Sequence, residues 1–255
     1  MLQITPLPAL ADNYIWMLND DAGNAVVIDP GDAAVVEKAL VDRRLILKAI
    51  LLTHHHDDHI GGVAALRRSF DVPVYAPVDE RISTATDWVK DHDIIDIEEP
   101  CCRFEVLWVP GHTLSHVAYL GAGALFCGDT LFSLGCGRLF EGTPEQMLAS
   151  LDRLSALPAN TLICGGHEYT QTNARFARTI EPENTHLSLR SDAVAELRAR
   201  DLPTLPVALA SELACNPFLR VDSAGVMNWC RRQGIDGGRI DRFAAVRAAK
   251  NDFAG

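Results

Sequence analysis

Short apolar runs alternate with Gly- and Asp-containing turns along the chain to about residue 170. Residues 2–5 and Tyr14-Ile15-Trp16-Met17-Leu18 predict a first strand and its partner, and Ala25-Val26-Val27-Ile28 a third, stopped by Asp29-Pro30-Gly31-Asp32. Val35, Val36, Ala39 and Leu40 recur at helical spacing over 33–43. A strand over 46–52, a helix over 61–69 and a short strand over 72–75 follow. Residues 78–100 are polar and weakly periodic, which predicts a loop with one short helix. Residues 104–109 alternate as a strand, and 117–120 with 124–127 predict a hairpin around Gly121–Gly123. Thr143 and Pro144 suit the N-cap and first position of a helix over 143–155. Thr161-Leu162-Ile163-Cys164 is a last strand. Beyond residue 170 the texture turns to Ala, Arg, Leu and Glu, predicting helices near 170–178, 185–200, 223–232 and 239–249, with Pro203 and Pro206 as a break. The expected organisation is a mixed α/β domain, 1–170, and a helical domain, 171–255.

The strand over 46–52 delivers Thr53-His54-His55-His56-Asp57-Asp58-His59 at its carboxyl end, where open α/β sheets place their sites. Residues two apart on a strand share a face, so His54 and His56 point the same way, and Asp58 and His59 turn toward the same cavity from beyond the strand. Imidazole and carboxylate groups beside apolar core are costly to desolvate unless something satisfies them. A divalent metal ion does so, since these ligands suit zinc, iron and manganese. The alternative is a solvated His-rich loop. His112, Asp129 and His167 also follow strands and Gly-containing turns. Alone, each is an ordinary polar turn residue. Together the set exceeds one tetrahedral ion and suits two ions about 3.5–4 Å apart. Asp29, at another strand end, is open between a turn residue and a support for the cluster.

The formal net charge of -11 argues against nucleic acid or an anionic membrane as the main partner, because both demand basic patches. No stretch has the apolar length of a membrane span, and the N-terminus lacks the basic and apolar regions of a signal peptide. Seven Cys, an odd number with no C-x-x-C spacing, predict free thiols and a cytoplasmic setting.

The motif Thr-His-x-His-x-Asp-His, followed in order by His112, Asp129 and His167, resembles the metallo-β-lactamase-fold hydrolases. Within them the chain is similar to the hydroxyacylglutathione hydrolases, or glyoxalase II enzymes. That finer likeness rests on Gly128-Asp129-Thr130-Leu131-Phe132, the run from Gly135 to Thr143, Gly166-His167-Glu168-Tyr169-Thr170, Asn216-Pro217-Phe218-Leu219-Arg220, and Arg247-Ala248-Ala249-Lys250-Asn251-Asp252-Phe253. The resemblance implies a four-layer αββα sandwich with a C-terminal helical domain. It implies two divalent transition-metal ions, zinc foremost, with iron or manganese as options. His54, His56 and His112 would hold the first ion, and Asp58, His59 and His167 the second. Asp129 would bridge them beside a bridging hydroxide, so that Asp58 and Asp129 position the nucleophile. His55 and Asp57 fall on non-ligand positions, His116 is expected as a core or supporting residue, and His92 and His186 on the surface.

The implied reaction is hydrolysis of S-(2-hydroxyacyl)glutathione, such as S-D-lactoylglutathione, to glutathione and D-lactate, in methylglyoxal detoxification. A thiol leaves readily at a pKa of about 8.5, so no dedicated general acid is needed. Substrate contacts are implied at Arg138, Phe140, His167, Tyr169, Arg247 and Lys250. Spacing alone makes Arg247 and Lys250 an ordinary solvated helix face; the resemblance makes them a clamp for the glycine carboxylate. Phe140 stands where some members carry Tyr, which removes a side-chain hydroxyl. A small-molecule partner and a monomer are expected. The main rival is a mononuclear iron persulfide dioxygenase on the same fold; lactamase, nuclease and non-enzymatic metal-binding readings are weaker.

Overall fold

The computed structural model describes residues 2–253, so the outer limits of the expected domains at 1 and 255 fall outside it. The chain divides into two compact units, each drawn from separate stretches. One comprises Met1–Trp108, Ser115–Gly128 and Cys164–His167; the other Val109–Leu114, Asp129–Ile163 and Glu168–Gly255.

The first unit runs β1 (Gln3–Ala9), β2 (Asn13–Asn19), β3 (Asn24–Ile28), α1 (Ala33–Arg43), β4 (Ile46–Leu51), α2 (Asp57–Ile60), α3 (Val63–Ser69), β5 (Val74–Pro77), β6 (Asp87–Val89), β7 (Ile94–Ile97), β8 (Cys102–Trp108), β9 (Val117–Gly121) and β10 (Ala124–Gly128). Strands β1 to β6 form one sheet in sequence order. Its first three strands pair antiparallel and the rest parallel. Strands β7 to β10 form antiparallel pairs in a second sheet. Ile15, Met17, Ala25, Val27 and Ile50 share a core with Val36 and Leu40 of α1 and Val63 and Leu66 of α3. The opposite face of the first sheet meets the second: the rings of Trp16 and Phe126 pack edge to face at 6.2 Å, and the Tyr119 hydroxyl donates to Leu52 O at 2.7 Å. Both faces of β2 and β3 are therefore covered, and their residues are apolar almost throughout.

The expected short helix in 78–100 is absent; β6 and β7 stand there instead. The helix expected over 61–69 begins at Val63, and Asp57–Ile60 forms a separate turn of helix.

The second unit contains β11 (Leu131–Phe132), β12 (Gly135–Cys136), α4 (Pro144–Ser155), β13 (Leu162–Gly165), α5 (Thr170–Ile180), α6 (Thr185–Arg198), β14 (Val207–Ala208), α7 (Leu209–Cys215), α8 (Ala224–Arg232) and α9 (Arg239–Asp252). The last two residues of β13 belong to the first unit. Thr143 caps α4 through a reciprocal capping box with Gln146. Phe176, Phe218 and Phe243 are fully buried and pack ring against ring, joining α5 and α9 to the turn after α7. The buried Glu212 carboxylate accepts from Ser133 Oγ, Leu134 N and Asn216 Nδ2 at 2.7–3.0 Å. Burial raises its pKa, and these donors offset the cost of desolvation. Asn216 Nδ2 also donates to Phe132 O and Gly135 O, so α7 pins the β11–β12 hairpin that follows Asp129.

Candidate metal centre

In the first unit the donor-rich segment is placed by two parallel strand ends. β3 and β4 pair in register to Ile28 and Leu51, and Asp29 N donates to Leu51 O at 3.0 Å. Asp29 therefore emerges beside Thr53, at a φ of 54°. Its Oδ1 accepts from Thr53 N at 2.8 Å, and its Oδ2 from Thr53 Oγ1 at 2.7 Å and from His59 Nδ1 at 3.0 Å. A carboxylate only accepts, so His59 carries its proton on Nδ1 and presents a lone pair at Nε2. Because Thr53 Oγ1 gives its hydrogen to Asp29, it accepts from His54 Nδ1 at 3.0 Å, which leaves His54 Nε2 as a lone pair too. One buried Asp thus orients two imidazoles, deciding in favour of a supporting role the reading that sequence left open.

His54 Nε2 lies 3.1 Å from His56 Nδ1. Two ring nitrogens facing at that distance share a proton or a cation. The remaining donors converge from α2 and from the turn after β13. His59 Nε2 and His167 Nε2 lie 3.5 and 3.4 Å from Asp58 Oδ2. Asp58, His59 and His167 offer one ligand atom each, all within 4.8 Å of one another, as do Asp29, His54 and His59. The type, orientation and convergence of these donors fit a divalent ion. Gly31 is required here by close approach: a Cβ on it would sit 1.8 Å from Asp58 O.

Two supports were not legible. Asp12 Oδ1 accepts from His167 Nδ1 at 2.8 Å, and Asn13 Nδ2 donates to Asp58 Oδ2 at 2.9 Å. Asp12 and His167 are 155 residues apart, and only the polar pair Asp12-Asn13 ahead of an apolar strand hinted at them. His116 is buried, with its ring stacked on His54 at 4.7 Å, as expected of a supporting residue. His55 turns aside, with Nδ1 3.5 Å from Asp79 Oδ2. His92 and His186 are exposed.

In the second unit, His112 Nδ1 donates to Arg138 O at 2.8 Å, and His112 Nε2 lies 3.4 Å from Asp129 Oδ2. Both residues are nearly fully buried. Arg138 contributes its main chain and leaves an exposed side chain. The exposed Phe140 ring packs its edge against His112 at 5.2 Å, and Tyr169 packs on Phe132 at 5.3 Å. Arg247 and Lys250 do not form the solvated helix face that spacing alone suggested. Arg247 is buried; its Nη1 donates to Cys136 O at 2.6 Å, and its guanidinium lies over Phe218. Lys250 Nζ lies 5.7 and 5.5 Å from the ring centres of Phe176 and Phe253. Burial, and then the charges of Arg247 and Arg175, push its pKa down to about 8. Burial pushes the Cys136 thiol up to about 11, so it is no nucleophile at neutral pH. None of the seven Cys is in a disulfide.

The chain matches the metallo-beta-lactamase superfamily over residues 11–167 and the hydroxyacylglutathione hydrolase C-terminus over residues 168–253. The α/β fold is therefore that of the metallo-β-lactamase superfamily, and the helical C-terminal region is an addition to it. The chain is 57% identical over 257 residues to a hydroxyacylglutathione hydrolase of Stenotrophomonas maltophilia, with 99% of each covered. It is similar to the crystal structure of BLEG-1 B3 metallo-beta-lactamase, with a TM-score of 0.65 and 27% identity, covering 86% of this chain and all, 100%, of that one. A di-iron-bound form of TTHA1623 is 32% identical with a TM-score of 0.54, covering 64% of this chain and 91% of that one. Within the superfamily, the chain belongs to the hydroxyacylglutathione hydrolases.

Proposed function

We propose that the chain hydrolyses S-(2-hydroxyacyl)glutathione thioesters, S-D-lactoylglutathione in particular, to glutathione and a 2-hydroxy acid, the second step of methylglyoxal detoxification. The observation that carries this reading is a superfamily donor set joined to a helical region that matches the hydroxyacylglutathione hydrolase C-terminus. Likeness to these hydrolases along nearly the whole chain disfavours the mononuclear iron persulfide dioxygenase.

His54, His56 and His112 would hold one divalent ion and Asp58, His59 and His167 a second, with Asp129 as a further ligand. Zinc is the first choice, with iron or manganese as alternatives that the same ligands accept. Such ions supply Lewis acidity and acidify water near neutral pH. The chain's own groups do the rest. Asp29, and Asp12 at His167, fix which ring nitrogen faces the ion. The Arg138 carbonyl does the same for His112. Lys250 draws the glycine carboxylate of glutathione, and Arg247 adds positive charge while it holds the Cys136–Gly137 main chain. Tyr169 offers a hydroxyl, and Phe140 an apolar edge in place of one. Glutathione departs as thiolate, so no side chain donates a proton to sulfur. On this reading the protein acts on a small-molecule substrate as a monomer in the cytoplasm.

Loss of the ultraviolet thioester band of S-D-lactoylglutathione tests this. Turnover that a chelator abolishes and zinc restores is expected. Turnover indifferent to chelation, or none with the metal-loaded protein, overturns it.

A further inference from the structure

The imidazoles differ in what stands behind them. His59 Nδ1 and His167 Nδ1 each donate to a carboxylate, of Asp29 and Asp12 respectively. His54 Nδ1 donates to the Thr53 hydroxyl, and His112 Nδ1 to the Arg138 carbonyl, both neutral. A carboxylate behind an imidazole fixes the tautomer as a carbonyl does. It also adds negative charge, raising the basicity of the far nitrogen. The set Asp58, His59 and His167 thus carries its own carboxylate and two more behind its imidazoles. All of these groups lie within the first unit.

Asp12 and Asp29 are not equivalent. Asp29 is buried, is bonded twice by Thr53, and serves His54 as well as His59. The Asp12 side chain is 41% exposed, and its Oδ1 bonds His167. Removing Asp29 would disturb the strand ends. Removing Asp12, which is partly exposed, changes the partner of one buried imidazole.

We propose that Asp12 is a positioning residue for the Asp58/His59/His167 ion, and that the carboxylates of Asp12 and Asp29 make this the tighter ion position, filled before the one served by His54, His56 and His112. The proposal rests on the two-ion reading above. Charge complementarity supplies the preference: an ion entering here meets imidazoles made more basic by fixed anions. At the other position the Thr53 hydroxyl and the Arg138 carbonyl orient His54 and His112 with no carboxylate bonded directly to those two Nδ1 atoms.

Zinc affinities of the apo-protein, measured by competition with a chromophoric chelator, test this on wild type, Asp12→Asn and Asp12→Ala, alongside cobalt(II) absorption spectra. Asn keeps an acceptor of the same shape and removes the charge. Wild type is expected to bind two ions with separate dissociation constants. Asp12→Ala should weaken the tighter one by about 10–100-fold, Asp12→Asn by less, and leave the weaker one unmoved. The cobalt spectrum should change in the first equivalent added and not in the second. Two ions bound with both constants unchanged in both variants would overturn the proposal while leaving the two-ion reading intact, as would a loss confined to the weaker ion. Failure of the wild type to take a second ion would overturn both.

Discussion

Asp29 holds a left-handed backbone conformation, φ 54°, that costs a non-glycine residue about 1–3 kcal/mol. Three hydrogen bonds from Thr53 and His59 over-determine it, and the return is two imidazoles with defined tautomers. Sequence placed the ligand-type residues and left Asp29 open between a turn residue and a support for the cluster, because a tautomer depends on a partner reached through the fold. Asp12 shows the same gap more sharply, since its partner lies far along the chain. Lys250 shows what environment adds to a residue that sequence did single out. With a pKa of about 8, set chiefly by burial, its ammonium is lost as pH rises through 8, well before an ordinary lysine. On the proposed reading, the attraction for a substrate carboxylate goes with it. KM for S-D-lactoylglutathione should therefore climb as pH passes 8, with kcat less affected. Lys250→Arg, whose charge persists, should flatten that rise. A KM independent of pH from 7 to 9 in wild type would remove Lys250 from the substrate contacts.

Elements with strong local signals stand where the sequence put them. Helix α1 spans its expected residues, and α4 begins at the Thr143 cap. Thr143→Ala should cost about 0.5–2 kcal/mol. A lower denaturation midpoint with kcat unchanged is the expected result, and an unmoved midpoint would discount the cap. Weak or masked signals account for the differences. β6 and β7 are three- and four-residue strands with exposed positions, too short for alternation to stand out among 78–100. α7 followed two prolines taken as a break, and α2 lay within a run read for its ligands. Backbone approach was equally silent. A Cβ on Gly137 would lie 1.8 Å from Asp129 O and 3.3 Å from His112 Nδ1. Gly137→Ala must push the Asp129 main chain aside. A displacement near 1 Å can cost on the order of 100-fold in rate, so kcat should fall that far and metal content with it. A fully loaded, fully active variant would show that this segment yields without consequence.

At the scale of the whole molecule, the fold puts ligand-type residues at strand ends and turns, and α9, beyond residue 168, carries Arg247 and Lys250. That division was visible in the sequence as a change of texture near residue 170. The compact units divide the chain differently, because Val109–Leu114 and Asp129–Ile163 join the later helices and Cys164–His167 joins the earlier strands. Local periodicity carries no information about such exchanges, which arise from pairing between distant segments. Within the first unit the exchange brings His167 beside Asp58, and within the second it leaves His112 beside Asp129. Catalysis on this account needs both ions together. Titrating the apo-protein with zinc while following hydrolysis of S-D-lactoylglutathione measures this directly. Activity should stay low through the first equivalent and reach its plateau at about two ions per chain. Full activity at one ion, or activity without any, would contradict the account.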